Sequence, residues 1–359
     1  MGLPLRHFSR CWSGRAVRAI ELGLLVGAIG TLGGPFQPPA RSSVVLTVDP
    51  QGNDAAARSG RGSFRTITSA LDHASQYSNG VTIRLAPGRY SAELGEQFPL
   101  RVPDGVTLSG DLYGQGQAVV IQGAGGFSSR SFSQQAVAIA LTGSGSVLGV
   151  TVSNPVPRGT GIWVESDGAT PVIANNRLLN NHRDGIFVTG RAQPQILRNW
   201  FQNNGGNGLS ITRDAGGIVR ENRFQATGFG LAIGGNASPV IQDNQITQNR
   251  DGVVISNQAQ PLLRRNQIEG NSNDGLVMID RAQPDLGTAF SPGENRILNN
   301  GRYAIYNATK GTTVSAVGNE LDRSRVMGSV LLSWGGLGGS QSIAPGFRPI
   351  APILSLQRL

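Results

Sequence analysis

Six residues after a recurring glycine (an alanine in the last copy), seven successive stretches of the chain carry Asp167, Arg191, Asp214, Asn236, Gln258, Arg281 and Lys310. If the stretches stack, Asp167, Arg191 and Asp214 form one ridge, with Arg213 beside it. A polysaccharide lyase would want clustered carboxylates holding Ca²⁺ with an Arg as base, and a glycoside hydrolase clustered Asp residues as acid and base; neither signature is present as a motif, and this ridge comes nearest to one. Trp163 and Phe187, two residues after their glycines on adjacent copies, point outward in this reading. Flat rings on a surface stack against the C–H faces of sugars. The catalytic candidates are therefore Asp167, Arg191 and Asp214, and the substrate-binding candidates Trp163, Phe187 and Arg213. The structural alternative makes the ridge a surface ion-pair ladder and tucks the rings beneath N-terminal loops or the tail. A buried Trp163, or carboxylates on opposite sides of a coil, would end the catalytic version.

The elements that must position these residues follow from the repeat. Gly161, Gly185, Gly208, Gly230, Gly252, Gly275 and Ala304 recur at steps of 24, 23, 22, 22, 23 and 29 residues. Self-similarity at such a period means a stacked solenoid. Positions one and three after the glycine are apolar (Ile162/Val164, Ile186/Val188, Leu209/Ile211, Leu231/Ile233, Val253/Ile255, Leu276/Met278), while the residue between varies. That alternation belongs to a short strand with its constant flanks in a core. A second strand contains Ile173, Ile196, Val219, Ile241 and Leu263; a third contains Leu178, Phe201, Phe224, Ile246, Ile268 and Ile297. Three short strands per coil of about 23 residues describe a parallel β-helix, right-handed as crossovers between parallel strands are.

Two polar columns accompany the strands. Asn176, Asn199, Asn222, Asn244, Asn266, Asn295 and Asn319 precede the third strand, and Asn181, Asn204, Thr227, Asn249, Asn271, Asn300 and Ser324 follow it. Stacked amides can accept from one neighbour and donate to the next, so these columns are read as turn supports. Asp184, Asp251 and Asp274 precede their glycines, but Asn207 and Phe229 interrupt that column. It gives no continuous carboxylate cluster, no cofactor is implied, and Ca²⁺ is the only metal it brings into view. His73 and His182 are isolated, and no nucleophile constellation accompanies them.

Residues 1–40 read as an export signal or N-terminal anchor. Arg6, Arg10, Arg15 and Arg18 precede the apolar stretch Leu22 to Leu32, which is short for a membrane span. Removing them lowers the formal charge from +9 to +6 and takes away Cys11, the one cysteine. This excludes a disulfide framework. Residues 41–112 form an N-terminal cap and first strands, with an amphipathic helix across Ser63 to Ala74 whose apolar positions are 64, 67, 70, 71 and 74. Coils occupy 113–325, the segment between Arg281 and Asn295 protrudes, and 326–359 is a Gly/Pro-rich tail. The positive charge is spread around the coils and mixed with acids, which argues against nucleic acid as partner.

The motifs Gly52-Asn-Asp, Phe64-Arg-Thr-Ile, Leu85-Ala-Pro-Gly-Arg-Tyr, Gly95-Glu-Gln-Phe-Pro-Leu and Gly105-Val-Thr-Leu-Ser-Gly-Asp occur in order. Over roughly residues 44 to 300 the chain thereby resembles a bacterial family known as domain of unknown function 1565, itself similar to pectin-lyase-like β-helix proteins. The resemblance implies the fold and leaves the activity open, since that superfamily includes lyases, hydrolases, esterases, phage spikes and binding proteins. The expectation is an exported protein of the periplasm, cell surface or extracellular space. It engages polysaccharide, acidic polymers among the candidates, through a solenoid face, either as a binding protein or as a lyase or hydrolase at the Asp167/Arg191/Asp214 ridge. No membrane span beyond the N-terminal segment is expected.

Overall fold

The computed structural model describes residues 44–333 apart from Asn79; the expected export segment and most of the tail lie outside the described residues. Within them the chain winds as a parallel β-helix with three long sheets. Sheet A has nine strands, from Val44–Val48 to Leu262–Arg264. Sheet B has ten, from Gly88–Ser91 to Glu320–Leu321, and sheet C eleven, from Leu100–Val102 to Val326–Met327. A regular coil runs through sheets C, A and B in turn, as in Gly159–Ser166, Val172–Ala174 and Arg177–Leu179. Parallel pairing is in register from coil to coil: Ile162 with Ile186, Ile186 with Leu209, Leu178 with Phe201. The flanking residues read as core are fully buried, and Phe201 and Phe224 stack inside with centroids 4.4 Å apart.

Between sheets A and B the chain has only two residues in which to turn. The first of them is left-handed in every regular coil: Asn175, Arg198, Glu221, Asp243, Arg265 and Glu294 have φ between 53° and 58°. A non-glycine residue there costs roughly 1–2 kcal/mol, so something must stabilise the bend. The buried asparagine that follows does so. Asn199 Oδ1 accepts from the backbone N–H of Asn176 and from its Nδ2, both at 3.0 Å. Asn199 Nδ2 donates to the Ile173 carbonyl at 2.8 Å and to Asn222 Oδ1 at 3.1 Å. The same set continues through Asn244, Asn266, Asn295 and Asn319. A second ladder lines the bend between sheets B and C, from Asn181 to Asn204 and from Asn249 through Asn271 to Asn300. Thr227 interrupts it, its hydroxyl donating to Asn249 at 2.8 Å.

The expected helix is present as Ile67–Ala74, capped by the Thr66 side chain and burying Ile67, Ala70, Leu71 and Ala74. The Glu96 carboxylate adds a second cap, accepting from the N–H groups of Ile67 at 2.6 Å and Thr68 at 2.9 Å. Two segments depart from the coil. Gly125–Ser129 and Ser133–Leu141 form an antiparallel hairpin, and the second arm continues into sheet C. The long coil near Asp285 does more than protrude. Although Thr288 to Pro292 are exposed, Leu263 N–H donates to Asp285 O, Arg265 N–H donates to Gly293 O, and Leu286 is buried. Pairing also continues past Arg325, with Val326–Met327 against Ile305 and Val330–Leu331 against Val314–Ser315. No helix among the described residues is long and apolar enough to cross a membrane.

The ladder makes its own prediction. Asn222→Ala strands buried groups on two neighbouring coils and is expected to lower unfolding stability by about 2 kcal/mol or more. Asn319→Ala, at the half-buried end, should cost less than half as much. Urea denaturation of both variants checks this, and equal midpoints would rule out the ladder as a main support.

Candidate functional site

The ridge forms where the spacing places it. Arg191 Nε donates to Asp167 Oδ1 at 2.6 Å, and Asp214, one coil further, accepts from Asn236 Nδ2 at 2.8 Å. Both partners of the first pair are largely solvent-exposed, at 68% for the Asp167 side chain and 65% for Arg191. The hydrogen bond and charge of Arg191 hold the Asp167 carboxyl below the usual range, and Asp167 raises the guanidinium in return. Two exposed side chains that satisfy each other in this way form an ordinary surface ion pair. Arg213 is engaged by the hairpin: its guanidinium lies 5.4 Å from the Phe132 ring centroid and donates to Ser131 O at 3.4 Å.

The aromatic pair requires a correction. Trp163 and Phe187 do project away from the solenoid interior and stack with centroids 4.3 Å apart and planes 11° apart. They are not a sugar platform, because the hairpin covers them. Trp163 is 0% exposed and Phe187 1%. Phe127 lies 6.1 Å from Trp163, and Phe132 meets Phe187 edge-on at 5.2 Å. Glu165 ties the cover down, accepting from Ser131 N–H at 3.0 Å and from Trp163 Nε1 at 3.2 Å, while Arg183 donates to Gln135 Oε1 at 3.1 Å. The physical reason is local: the irregular stretch after Ala118 contains enough extra chain to fold back across sheet C. This burial removes the platform that the catalytic version needed.

The aspartates before the glycines are buried, at 1% for Asp184, 4% for Asp251 and 0% for Asp274. Each accepts a backbone N–H from the next coil: Asn207 to Asp184 at 3.0 Å, Asp274 to Asp251 at 3.2 Å, Tyr303 to Asp274 at 3.0 Å. They hold coils together. Burial pushes the Asp184 carboxyl up, and Arg183, 3.2 Å away, offsets only part of that desolvation. Among the described residues no three His, Cys, Asp or Glu side chains converge on a point where a metal ion could sit.

An open, chemically varied face lies instead on sheet B. The residue directly after each ladder asparagine points outward, giving the column Arg177, Trp200, Arg223, Gln245, Gln267 and Arg296. Beside it run Leu179, Gln202, Gln225, Thr247, Glu269 and Leu298. All of these are exposed or half-buried. Trp200 sits between two guanidiniums, Arg177 at 5.1 Å and Arg223 at 5.3 Å from its ring. Reading the third strand only for its core position hides this column; its outward position, taken one coil at a time, would have revealed it. Sheet A offers a more apolar outer row, with Val172, Gln195, Ile218, Val240 and Leu262.

A family model described as "Protein of unknown function (DUF1565)" matches residues 50–326. The chain belongs to that family. No curated protein matches it. Among solved structures, this DUF1565 protein is similar to the periplasmic alginate epimerase AlgG at 15% identity, covering 70% of this chain and 76% of that one with a TM-score of 0.44. The A-module of the Azotobacter vinelandii mannuronan C-5 epimerase AlgE4 gives 16% identity, 74% and 91% coverage and 0.44. An alginate lyase from Paenibacillus sp. str. FPU-7 gives 13%, 81% and 100% coverage and 0.41.

Two expectations follow for the DUF1565 protein. Trp163→Ala should empty a closed aromatic cluster and destabilise by about 3–5 kcal/mol, read by thermal or urea unfolding; an unchanged midpoint would mean the hairpin does not close over the ring. Asp184 binds its proton more tightly folded than unfolded, so stability falls as pH rises from the ordinary carboxylate value toward the raised one. Asp184→Asn is expected to flatten that fall over the window that opens above the ordinary carboxylate value. A stability difference between parent and variant that stays constant over this window would contradict the desolvation account.

Proposed function

We propose that this protein binds polysaccharide along an exposed solenoid face without turning it over. The observation that supports this reading is the outer face of sheet B. Six coils present side-chain amides, an indole and guanidiniums in register, at the roughly 4.8 Å spacing of neighbouring strands. Gln202, Gln225, Gln245 and Gln267 each carry both a donor and an acceptor, the complement of sugar hydroxyls. Small-molecule sites are concave and enclosed; a flat face that repeats along an axis suits an extended polymer. The non-catalytic part rests on the ridge, where Asp167 and Arg191 form an ion pair open to water and the neighbouring rings are closed off. The arginine-led apolar stretch within residues 1–40 supports export, which would bring the protein to polysaccharide in the periplasm, at the cell surface or outside the cell.

The test is an affinity-gel panel of neutral and acidic polysaccharides, run beside assays for unsaturated product and new reducing ends with and without Ca²⁺. Retardation that weakens several-fold in Trp200→Ala, with no product formed, is the expected result. Turnover that disappears in Asp214→Ala would overturn the non-catalytic reading and restore the ridge as an active site. Free migration through every polymer would overturn polysaccharide binding altogether.

A further inference from the structure

We infer that the polymer bound on sheet B is anionic and that Arg177 and Arg223 are the residues that select its charge; this rests on the polysaccharide reading above. The other arginines on the neighbouring ridges and strands set the baseline. Arg191 is paired with Asp167, Arg198 with Glu221, Arg265 with Asp243, and Arg296 with both Glu269 and Glu320. The repeat often supplies a carboxylate one coil away from an arginine, although Arg213 and Arg281 on the turn ridge have none among the described residues.

Arg177 and Arg223 stand outside those pairs and differ from the other unpaired arginines in sharing one ring. Neither has a carboxylate partner among the described residues. What each has instead is a face of the Trp200 indole, so that one ring lies between two cations on three consecutive coils. Placing two positive charges two strand spacings apart, about 9.6 Å, works against folding, and an acid at position 223 would have relieved it. The indole fixes both guanidinium planes through cation–π contact, so little side-chain freedom is left to lose on binding. Arg177 Nη2 reaches Gln117 Oε1 only at 3.5 Å.

A fixed, unneutralised guanidinium presents a planar fork of donors that matches an oxyanion bidentately. Two such forks in line along the solenoid axis match anionic groups recurring along a chain. Carboxylate and sulfate share that chemistry, so the ligand class is a glycan bearing either one. The amide of Gln202 stands beside the forks, where it would meet the hydroxyls between charges, whereas Gln225 is engaged within the protein, its Nε2 donating to Gln248 Oε1 at 2.6 Å.

The full chain is run in affinity gels containing polygalacturonate, its fully methyl-esterified form, or dextran sulfate. Esterification removes charge and keeps the backbone, so the comparison needs no variant. Retardation by the acid polymer but not the ester, weakened by salt and reduced roughly tenfold in the Arg177→Gln/Arg223→Gln double variant, is the expected result. The double variant's thermal midpoint is compared with the parent's to separate lost binding from lost fold. Stronger retardation by dextran sulfate than by polygalacturonate assigns sulfate as the anion, and the reverse assigns carboxylate; either supports the pair. Equal retardation by acid and ester, still dependent on Trp200, overturns the charge inference while leaving polysaccharide binding intact. Retardation by none of the three overturns both. A single-stranded oligonucleotide that shifts further than any glycan would reassign the stack to nucleic acid and overturn the inference.

Discussion

The structure depends on a side-chain amide that bonds to its own image one coil away. Each bend from sheet A to sheet B forces a non-glycine residue into left-handed backbone and turns peptide groups away from their strand partners. The asparagine that follows answers both problems, taking a backbone N–H from one coil and giving its own to a carbonyl and to the next asparagine. Because the partner is always the same residue in the adjacent coil, the bond can form only when coils are in register. The ladder therefore fixes register, and register decides which residues share a column on every outer face.

Those outer faces have diverged although the interior repeats. Sheet C is covered at Trp163 and Phe187, with Glu165, Arg183 and Arg213 all engaged in holding the cover. The turn ridge beside it carries one ion pair open to water, between Arg191 and Asp167, and an Asn236–Asp214 hydrogen bond. Sheet B remains polar and accessible, with its chemistry concentrated where two arginines stand on either side of one indole. The inward positions hardly vary because the core has one shape; the outward ones are free to differ, and there function can be told from support.

That division also explains what was legible in the sequence. Glycine spacing, alternating apolar flanks and the asparagine columns each encode a local periodic requirement, so the strands, the bends and the stacking of Asp167 against Arg191 could be read directly. The helix at Ile67–Ala74 was legible for the same reason. A cover over Trp163 was foreseen only as the structural alternative, and the segment that supplies it was not, because the contact between Phe132 and Phe187 joins residues far apart in sequence and nothing in the hairpin's own pattern says which surface it will reach. Outward direction was correctly inferred for the rings, and exposure was not, since exposure depends on what else the chain lays on top. Trp200 was missed for a different reason: it occupies the variable position of a three-residue strand whose core residue drew the attention.

The long coil bearing Asp285 shows how the stack absorbs an insertion. Sheet A has its last regular strand at Leu262–Arg264, yet Leu263 and Arg265 still give their N–H groups to Asp285 and Gly293, and the Arg264 guanidinium bonds Asp285 and Ser291 across the join. The next layer builds on the irregular one: Val317 N–H donates to Gly287 O, and Val330–Leu331 pairs with Val314–Ser315. The added residues thus act as a splice, an irregular layer that passes backbone pairing on to the chain beyond it.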